Sequence, residues 1–306
     1  MSGDGLDTEP AITQPPRAFS LIVNPAAGGG RAGRLLGEVT SALSARGLEH
    51  HVERTRSLEH ARELALAAAA AGEVAVAFGG DGLVGAVAGA LKHSEGVVGV
   101  LPGGRGNDFA RVLGIPREPA AACEVLVSGA VRSLDLGEAD GNTFLSIASC
   151  GFDSEANRLA NETQVVRGNL VYAYAALRTL ASWKAATFTV KLNGGAPRTI
   201  VGCTVAAANS KAYGGGMFMA PDASLEDGLL DVVVVEDASK LQLLRMLPLL
   251  FKGTHVHKPN VHVERARQIE IAADRPFTMY ADGDPIAGLP VTVRALPHAV
   301  RVIVPR

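Results

Sequence analysis

Three glycine turns, each between an apolar strand and a helix, constrain this chain more than any other feature of its sequence. The clearest follows the apolar run Val74–Ala77 and Phe78, reads Gly79-Gly80-Asp81-Gly82, and leads into a helical pattern. A short β-rich run that breaks at glycines and resumes with helical periodicity predicts strand, tight turn and helix. Glycine lets the backbone approach a ligand and turns successive N–H groups into one concavity, which suits a phosphate.

Two further turns have the same construction. They are Asn24-Pro25-Ala26-Ala27-Gly28-Gly29-Gly30 after Leu21–Val23, and Pro102-Gly103-Gly104-Arg105-Gly106-Asn107-Asp108 after Val98–Leu101. Taken singly, such a turn is more often a purely structural strand-to-helix connection. Three of them within about 110 residues predict one edge of a parallel sheet, where open α/β folds bind ligands.

The alternation of strand and helix continues to Asp135, which predicts an α/β domain whose parallel sheet is covered on both faces. Short β-branched segments follow, separated by glycine or polar turns, and these are typical of antiparallel strands in a β-sandwich. The segments are Thr143–Ser149, Thr187–Leu192, Thr199–Ala208, Leu230–Val235, Gln268–Ala272 and Phe277–Tyr280. Two predicted helices, Asn169–Trp183 and Lys240–Lys252, interrupt them.

Composition excludes several classes of protein. With 47% hydrophobic and 20% charged residues, the 306-residue chain can fill one large or two ordinary cores. A net charge of -2 and the lack of a basic cluster argue against nucleic acid as a partner. No run reaches the ~20 apolar residues of a bilayer span, so any membrane contact is expected to be peripheral.

The first 17 residues and the three cysteines give two further predictions. Residues 1–17 are polar, contain three prolines and lack the pattern of a secretory signal, which predicts a disordered tail. Cys123, Cys150 and Cys203 lie far apart in apolar surroundings without metal-ligand spacing. We interpret them as buried, reduced thiols, and we expect a cytoplasmic protein.

The three turns resemble one family in order and spacing. Asn-Pro-x-x-Gly, Gly-Gly-Asp-Gly and Pro-x-Gly-x-x-Asn-Asp-x-Ala-Arg are similar to the diacylglycerol kinase catalytic family, which includes sphingoid and ceramide kinases. The stretches Gly151-Phe152-Asp153, Pro221–Asp231 and Asp282-Gly283-Asp284 continue the resemblance, which extends from about Phe19 to the end.

The resemblance implies a two-domain fold. A Rossmann-like or phosphofructokinase-like parallel α/β nucleotide domain would occupy residues 18–135, and an antiparallel β-sandwich that binds the lipid would occupy residues 136–294. The end of the chain, residues 295–306, would return to the first domain, with Ala299–Val304 as the returning strand. The implied substrates are ATP and a lipid at the membrane surface. The oligomeric state stays open, with a homodimer as one option.

In this family the glycine turns hold ATP. Matching the motifs residue by residue gives the expected nucleotide-binding set Asn24, Thr55, Gly79, Gly80, Asp81, Gly82, Gly104, Asn107 and Asp108. Backbone N–H groups would bind phosphate oxygens, and Asp81 would bind a ribose hydroxyl or, through water, a phosphate-bound Mg²⁺. A structural alternative exists for Asp81 and Asp108, because both precede helical runs and an Asp there is often a helix N-cap.

Asp284 is the candidate general base by the same resemblance. The family motif is Asp-Gly-Glu, whose Glu takes the proton of the lipid hydroxyl as that oxygen attacks the γ-phosphorus. The carboxylate here is one methylene shorter, and a displacement of about 1 Å can reduce a rate by about 10²-fold. A solvated Asp in an Asp-Gly-Asp-Pro turn is the competing interpretation.

The segment Ser224–Leu229 matches a structural divalent-ion site of the family. The implied ligands are the side chain of Asp227 and the carbonyl oxygens of Ser224 and Leu229, and oxygen ligands suit Mg²⁺ or Ca²⁺. An Asp-Gly turn that binds no ion is the alternative.

Five residues depart from the family pattern. Leu83, Gly85 and Ala86 replace polar residues after the central turn, Arg105 replaces a Thr against the nucleotide, and Asp284 replaces Glu. Arg105 would either grip phosphate or obstruct the pocket. The leading hypothesis is an ATP- and Mg²⁺-dependent kinase of a diacylglycerol-like lipid.

Two alternatives stay open. One is a catalytically weak or inactive, nucleotide-regulated lipid-binding protein, and the other is a kinase of NAD or of a sphingoid base or ceramide. The helix Lys240–Lys252 also allows two interpretations: its leucines rest on a membrane, or they pack on the protein's own sheet.

Overall fold

The structure, a computed structural model, describes residues 18–163 and 170–306, so the tail predicted at 1–17 lies outside the described residues. The helices are α1 (Ala27–Ser44), α2 (Leu58–Ala70), α3 (Asp81–Ala90), α4 (Asp108–Val112), α5 (Pro119–Ser128), α6 (Phe152–Glu162), α7 (Leu170–Ser182) and α8 (Lys240–Leu250). A short 3₁₀ helix spans Thr254–His257.

The strands of the first half are β1 (Ala18–Val23), β2 (Glu49–Arg54), β3 (Val74–Gly79), β4 (Val97–Pro102), β5 (Ala130–Ala139), β6 (Asn142–Phe144) and β7 (Ile147–Gly151). Those of the second half are β8 (Ala186–Leu192), β9 (Arg198–Ala208), β10 (Ala212–Tyr213), β11 (Met217–Phe218), β12 (Leu230–Glu236), β13 (Val261–Ala266), β14 (Gln268–Ala273), β15 (Thr278–Ala281), β16 (Asp284–Gly288) and β17 (Val291–Val304).

The first part of the chain is a parallel α/β domain. Strands β2, β1, β3 and β4 pair in parallel in that order, and β3 is buried along its whole length. Continuous apolar strands of this kind require cover on both faces, which the helices supply. Ser57 starts α2 by accepting a hydrogen bond from the N–H of His60, as an N-cap should. The carboxyl ends of β1, β3 and β4 therefore meet at one edge.

A long antiparallel pair joins the two halves. β17 pairs with β5 over most of its length, with β14 near its start and with β4 in parallel near its end, at Arg301 and Val302. Residue 135, where the first domain is predicted to end, falls inside β5. One strand pair thus contributes to both cores and ties them together.

The second part is an antiparallel β-sandwich. β16, β15, β7, β9, β8, β14 and β17 follow one another, and β12 and β13 extend the arrangement from β9. One apolar cluster fills the interior between strands around Phe188, Ile269 and Met279, and a second lies between sheet and helices around Val233, Leu180 and Met246. Cys123, Cys150 and Cys203 are buried free thiols. The predicted fold class, α/β followed by a β-sandwich, is confirmed.

Helix α8 presents apolar side chains in two directions. Leu243 and Met246 are buried against the sheet, as the packing interpretation requires, whereas Leu241 and Leu244 are exposed. Ser239 and Gln242 form a capping box that fixes the start of the helix. The apolar stripe predicted as one face is therefore divided between core and surface.

Candidate active site

The three glycine turns lie in backbone contact at the edge of the parallel sheet. The N–H of Gly103 donates to the carbonyl of Gly79, 2.7 Å away. A Cβ on Gly104 would lie 2.4 Å from the Cα of Gly80, and a Cβ on Gly28 would lie 2.4 Å from the carbonyl oxygen of Gly103. Side chains cannot fit at these crossings, so glycine is required for the turns to meet.

Asn107 closes the third turn. Its side-chain oxygen accepts the N–H of Gly104 at 2.8 Å, and its side-chain amide donates to the carbonyl of Gly104 at 3.0 Å. The residue is buried and adopts a left-handed conformation with φ of 52°, which Asn tolerates better than most residues. Both polar ends of Asn107 are thus used inside the loop, and its role here is to hold the turn's shape.

Asp81 connects the second turn to the third. Its Oδ1 accepts the N–H of Phe109 at 3.1 Å. The N-cap interpretation is wrong for Asp81 and Asp108, because the N-caps of α3 and α4 are Gly80 and Asn107. The Oδ2 atoms of Asp81 and Asp108 both lie 3.2 Å from where a Cβ on Gly106 would stand. Two carboxylates therefore converge on Gly106.

Asp108 links the two domains. Its Oδ2 accepts the N–H of Gly215 at 2.6 Å, and its Oδ1 accepts from the guanidinium of Arg111 at 2.8 Å. Burial raises the pKa of Asp108, while the hydrogen bond from Gly215 and the charge of Arg111 oppose that rise. Gly215 belongs to the run Gly214–Gly216, three consecutive residues with positive φ. This contact between the turns and the second domain was not predicted.

Asn24 and Thr55 directly follow β1 and β2, beside the turns. The side chain of Asn24 accepts the N–H of Ala26 at 3.1 Å, and its own N–H donates to the carbonyl of Phe78. Thr55 donates its hydroxyl to the carbonyl of Ser57 and its N–H to the carbonyl of Val23. The structure therefore brings both residues to the same sheet edge as the glycines.

The departures after the central turn face the protein core. Leu83 and Ala86 are buried, and a Cβ on Gly79 would lie 2.7 Å from Leu83 Cδ2. A Cβ on Gly85 would lie 3.8 Å from the side chain of Leu145. Apolar packing thus supports the turn where the family has polar groups. Arg105 is exposed, and no hydrogen bond or ion pair joins its side chain to residues 18–163 or 170–306.

Asp284 lies opposite the central turn. A Cβ on Gly82 would stand 3.8 Å from Asp284 Oδ2, so the carboxylate faces the turn across a narrow gap. Asp284 is exposed as a residue, and partial desolvation of its carboxyl by the surrounding protein raises its pKa above the ordinary value. Asp284 is the first residue of β16, directly after the tight turn at Asp282 and Gly283, whose φ values are 51° and 100°.

The hairpin that carries Asp284 is held in place by Asp282, part of the Asp-Gly-Asp motif, and by Asn142 and Asn161, which the sequence did not single out. Asp282 accepts the N–H groups of Leu145 at 2.6 Å and Ser146 at 2.9 Å. Asn161 of α6 donates to the carbonyl of Gly283 at 2.9 Å, and Asn142 donates to that of Ile286. Burial raises the pKa of Asp282 to about 6, against the lowering effect of those N–H groups.

A second buried network lies behind the triple-glycine run. Tyr213 donates its hydroxyl to Asp153 Oδ1 at 2.7 Å, and Ser149 donates to Oδ2 at 2.5 Å. Burial raises the pKa values of both Asp153 and Tyr213. Gly151-Phe152-Asp153 was a sequence signal for this region, although its partner Tyr213 was not foreseen. The network fixes the strand from which the triple-glycine run reaches Asp108.

The Ser224–Leu229 segment lies away from the turns, against β5 and β17. Asp135, fully buried, accepts the N–H groups of Gly228 and His298, both at 2.7 Å. Asp227 Oδ1 accepts the N–H of Leu229 at 3.0 Å, which leaves Oδ2 without a described partner. No group of three or more His, Cys, Asp or Glu side chains suited to a metal occurs among the described residues.

Family models match both halves of the chain. The diacylglycerol kinase catalytic domain matches residues 18–139, and the YegS C-terminal NAD kinase beta sandwich-like domain matches residues 146–304. A diacylglycerol kinase of Mycobacterium tuberculosis is 34% identical over 235 residues, which cover 74% of this chain and 75% of that protein. A diacylglycerol kinase of Bacillus subtilis is 28% identical over 233 residues, with coverage of 74% and 76%.

A solved structure agrees with this fold. A diacylglycerol kinase from Bacillus anthracis superposes with a TM-score of 0.73 at 21% identity, covering 94% of this chain and 97% of that chain. A parallel α/β domain followed by an antiparallel β-sandwich, each matched by a family model, defines the class, a two-domain kinase. From the family matches and this fold we conclude that the chain belongs to the diacylglycerol kinase catalytic family, a family of lipid kinases. No helix in residues 18–163 and 170–306 is long and apolar enough to cross a bilayer.

Proposed function

We propose that the protein transfers the γ-phosphoryl group of ATP to the hydroxyl of a diacylglycerol-like lipid. The observation that carries this proposal is the position of Asp284 Oδ2, 3.8 Å from where a side chain on Gly82 would begin. A base at that position faces the turns proposed to hold the triphosphate. The family membership and the names of the relatives support a lipid as the acceptor.

The proposed reaction assigns one role to each part of the site. The backbone N–H groups of the turns hold phosphate oxygens, and Arg105, exposed and unpaired among the described residues, is available to a phosphate. Asp284 takes the proton of the lipid hydroxyl. The lipid oxygen then bonds to the γ-phosphorus, the bond to the β-phosphate's bridging oxygen breaks, and ADP leaves.

The donor atoms also fit Mg²⁺ bound to the nucleotide. Asp81 Oδ2 and Asp108 Oδ2 converge on Gly106, and carboxylate oxygens are the ligands this ion prefers. Asp81 Oδ2 accepts no hydrogen bond from the described residues, whereas Asp108 Oδ2 also accepts the N–H of Gly215. Mg²⁺ bound with ATP would neutralise charge on the phosphates during transfer. Asp81 remains anchored by Phe109, so its carboxylate is held towards the site.

A radiolabel assay tests the proposal. Purified full-length protein is incubated with γ-labelled ATP, Mg²⁺ and mixed micelles that contain diacylglycerol, a sphingoid base or ceramide, with NAD in a separate reaction. We expect label in diacylglycerol. Label in NAD but in no lipid would overturn the proposal.

One observation favours a second function, the nucleotide-regulated lipid-binding protein. Leu83 and Ala86 are buried where the family has polar groups, and Asp284 has the shorter side chain. Binding of ATP and lipid without transfer to any acceptor would support this second function over the first.

A further inference from the structure

Helix α8 exposes a stripe of large apolar side chains. Leu241 is 54% exposed, Leu244 40% and Phe251 57%, and Pro248 is exposed between them. At 100° per residue these four positions fall within an arc of about 80°. The buried side chains of the helix point to the opposite side. Contiguous outward apolar surface on an otherwise packed helix indicates a binding surface.

Positive charge borders this stripe. On the same helical projection Arg245 and Lys252 follow one edge of the stripe, and Lys240 follows the other. No ion pair joins Arg245 or Lys252 to a carboxylate of the described residues, and neither side chain forms a hydrogen bond with those residues. The two charges are therefore available to an external partner.

The sequence concentrates this charge locally. Residues 238–263 contain four Lys or Arg and no Asp or Glu, and residues 170–184 contain Arg178 and Lys184 and no acid. The whole chain, by contrast, has 29 basic and 31 acidic residues and a net charge of -2. A positive region within a slightly negative protein selects an anionic partner.

Helix α7 extends the same region. Lys240 donates to the carbonyl of Ala181 at the end of α7, which ties the two helices together. Leu177 on α7 is 51% exposed, and Arg178 beside it donates to the hydroxyl of Tyr174 at 2.7 Å. We call the set Leu177, Leu241, Leu244, Arg245, Phe251 and Lys252 the α7–α8 surface.

We propose that the α7–α8 surface docks on an anionic phospholipid bilayer. Apolar side chains on the outer face of a helix enter the boundary between headgroups and acyl chains, and neighbouring cations meet lipid phosphates. The absence of acids from both segments removes the repulsion that an anionic surface would otherwise meet. The proposal names the membrane contact of the proposed lipid kinase and in that sense rests on it.

The surface is also connected to the candidate base. α6 packs on α7 and donates, through Asn161, to the carbonyl of Gly283 next to Asp284. Between α6 and α7 lies a cavity of about 530 Å³ whose lining includes Glu155 as well as Arg158, Arg178 and Arg275. Docking through α7 and α8 would thus place the bilayer against α7, the neighbour of the helix α6 that holds the Asp284 hairpin.

Vesicle sedimentation tests the docking. The full chain is spun with phosphatidylcholine vesicles with and without about 30% phosphatidylglycerol, in low and high salt. We expect binding that requires phosphatidylglycerol and weakens with salt. Leu244→Asp with Arg245→Glu should weaken binding at least about tenfold, because it removes apolar contact and reverses one charge.

A matched variant controls for the substitutions themselves. Arg62→Glu with Leu66→Asp makes the same changes on α2, where Leu66 is 53% exposed, and should bind vesicles within about twofold of wild type. Phe251→Ser with Lys252→Glu is a second surface variant, in case the first lowers the melting temperature. Phosphorylation of a dispersed short-chain lipid should be equal in wild type and surface variants, so loss of docking and loss of kinase activity are separate results.

Three results would overturn the proposal. They are vesicle binding by both surface variants as strong as that of wild type, no preference for phosphatidylglycerol, and a wild-type dimer that the surface variants convert to monomer in sedimentation equilibrium. The last would make the α7–α8 surface an interface between two copies of the chain.

Discussion

A Cβ on Gly104 would lie 2.4 Å from the Cα of Gly80, so the second and third glycine turns cross at a distance that only glycine permits. Gly104→Ala must push the two turns apart. We expect ATP affinity to fall at least about tenfold and stability to fall by about 1–3 kcal/mol, the usual cost of overpacking. Calorimetric titration with ATP and chemical denaturation measure the two effects.

Gly37→Ala is the control for that substitution. A Cβ there has no neighbour within 4 Å, and Gly37 lies inside α1. It should leave ATP binding unchanged and stabilise the protein by about 0.5–1 kcal/mol. ATP binding by Gly104→Ala equal to that of Gly37→Ala would show that the crossing of the turns does not shape the nucleotide site.

Asn161 should act by positioning the Asp284 hairpin. Removing its hydrogen bond to the carbonyl of Gly283 in Asn161→Ala loosens the turn, and small displacements of a catalytic group can lower a rate by up to about 10²-fold. We expect kcat to fall while the KM for ATP stays within about twofold. Asn157→Ala, on the same helix but with no side-chain hydrogen bond among the described residues, is the comparison. Equal kcat for both variants would leave Asn161 with no positioning role.

The pH dependence of the reaction should carry the signature of Asp284. The base acts only when ionised, and partial desolvation raises its pKa above the ordinary 3.8, so kcat/KM should fall as pH falls through that raised pKa. The residual activity of Asp284→Asn should lack this acid limb. Asp282, whose pKa is raised to about 6, also titrates in the acid range. A limb near pH 6 that persists in Asp284→Asn would belong to Asp282 and contradict the assignment.

The proposed ion site at Ser224, Asp227 and Leu229 predicts metal-dependent stability. Ca²⁺ or Mg²⁺ added to chelator-treated protein should raise the melting temperature, because an ion that binds only the folded state stabilises it. Asp227→Ala removes the single carboxylate ligand and should abolish the rise. An equal rise in both proteins would place the stabilising ion elsewhere, and no rise in wild type would favour the turn that binds no ion.

Local patterns predicted most elements of the fold, because the apolar strands and glycine turns carry their signals within a few residues. β8, β9 and β12 start and end close to the predicted segments. β16 and β13 were missed, since Asp284–Gly288 has no β-rich run and Val261–Ala266 alternates around charged residues. Their strand character comes from pairing with β15 and β12, partners that the local sequence does not reveal.

In the candidate site, too, some residues could be predicted from local motifs and others could not. Glycines and Asp81 could be identified from motifs, but Gly215 and Tyr213 act through contacts with residues 107 and 60 positions away. The run Gly214–Gly216 was the available signal for them. For α8, spacing predicted an apolar face but not that the buried residues would be Leu243 and Met246, because the neighbouring sheet and α7 select the face that packs.

Phosphoryl transfer by Asp284 variants tests the central claim most directly. Steady-state rates with labelled ATP and diacylglycerol micelles are compared for wild type, Asp284→Asn and Asp284→Glu. We predict that Asp284→Asn lowers kcat by roughly 10² or more while ATP affinity stays within about threefold, and that Asp284→Glu keeps or raises activity. An Asp284→Asn variant as active as wild type would contradict the account and move the role of base to another carboxylate, with Asp81 the first to test.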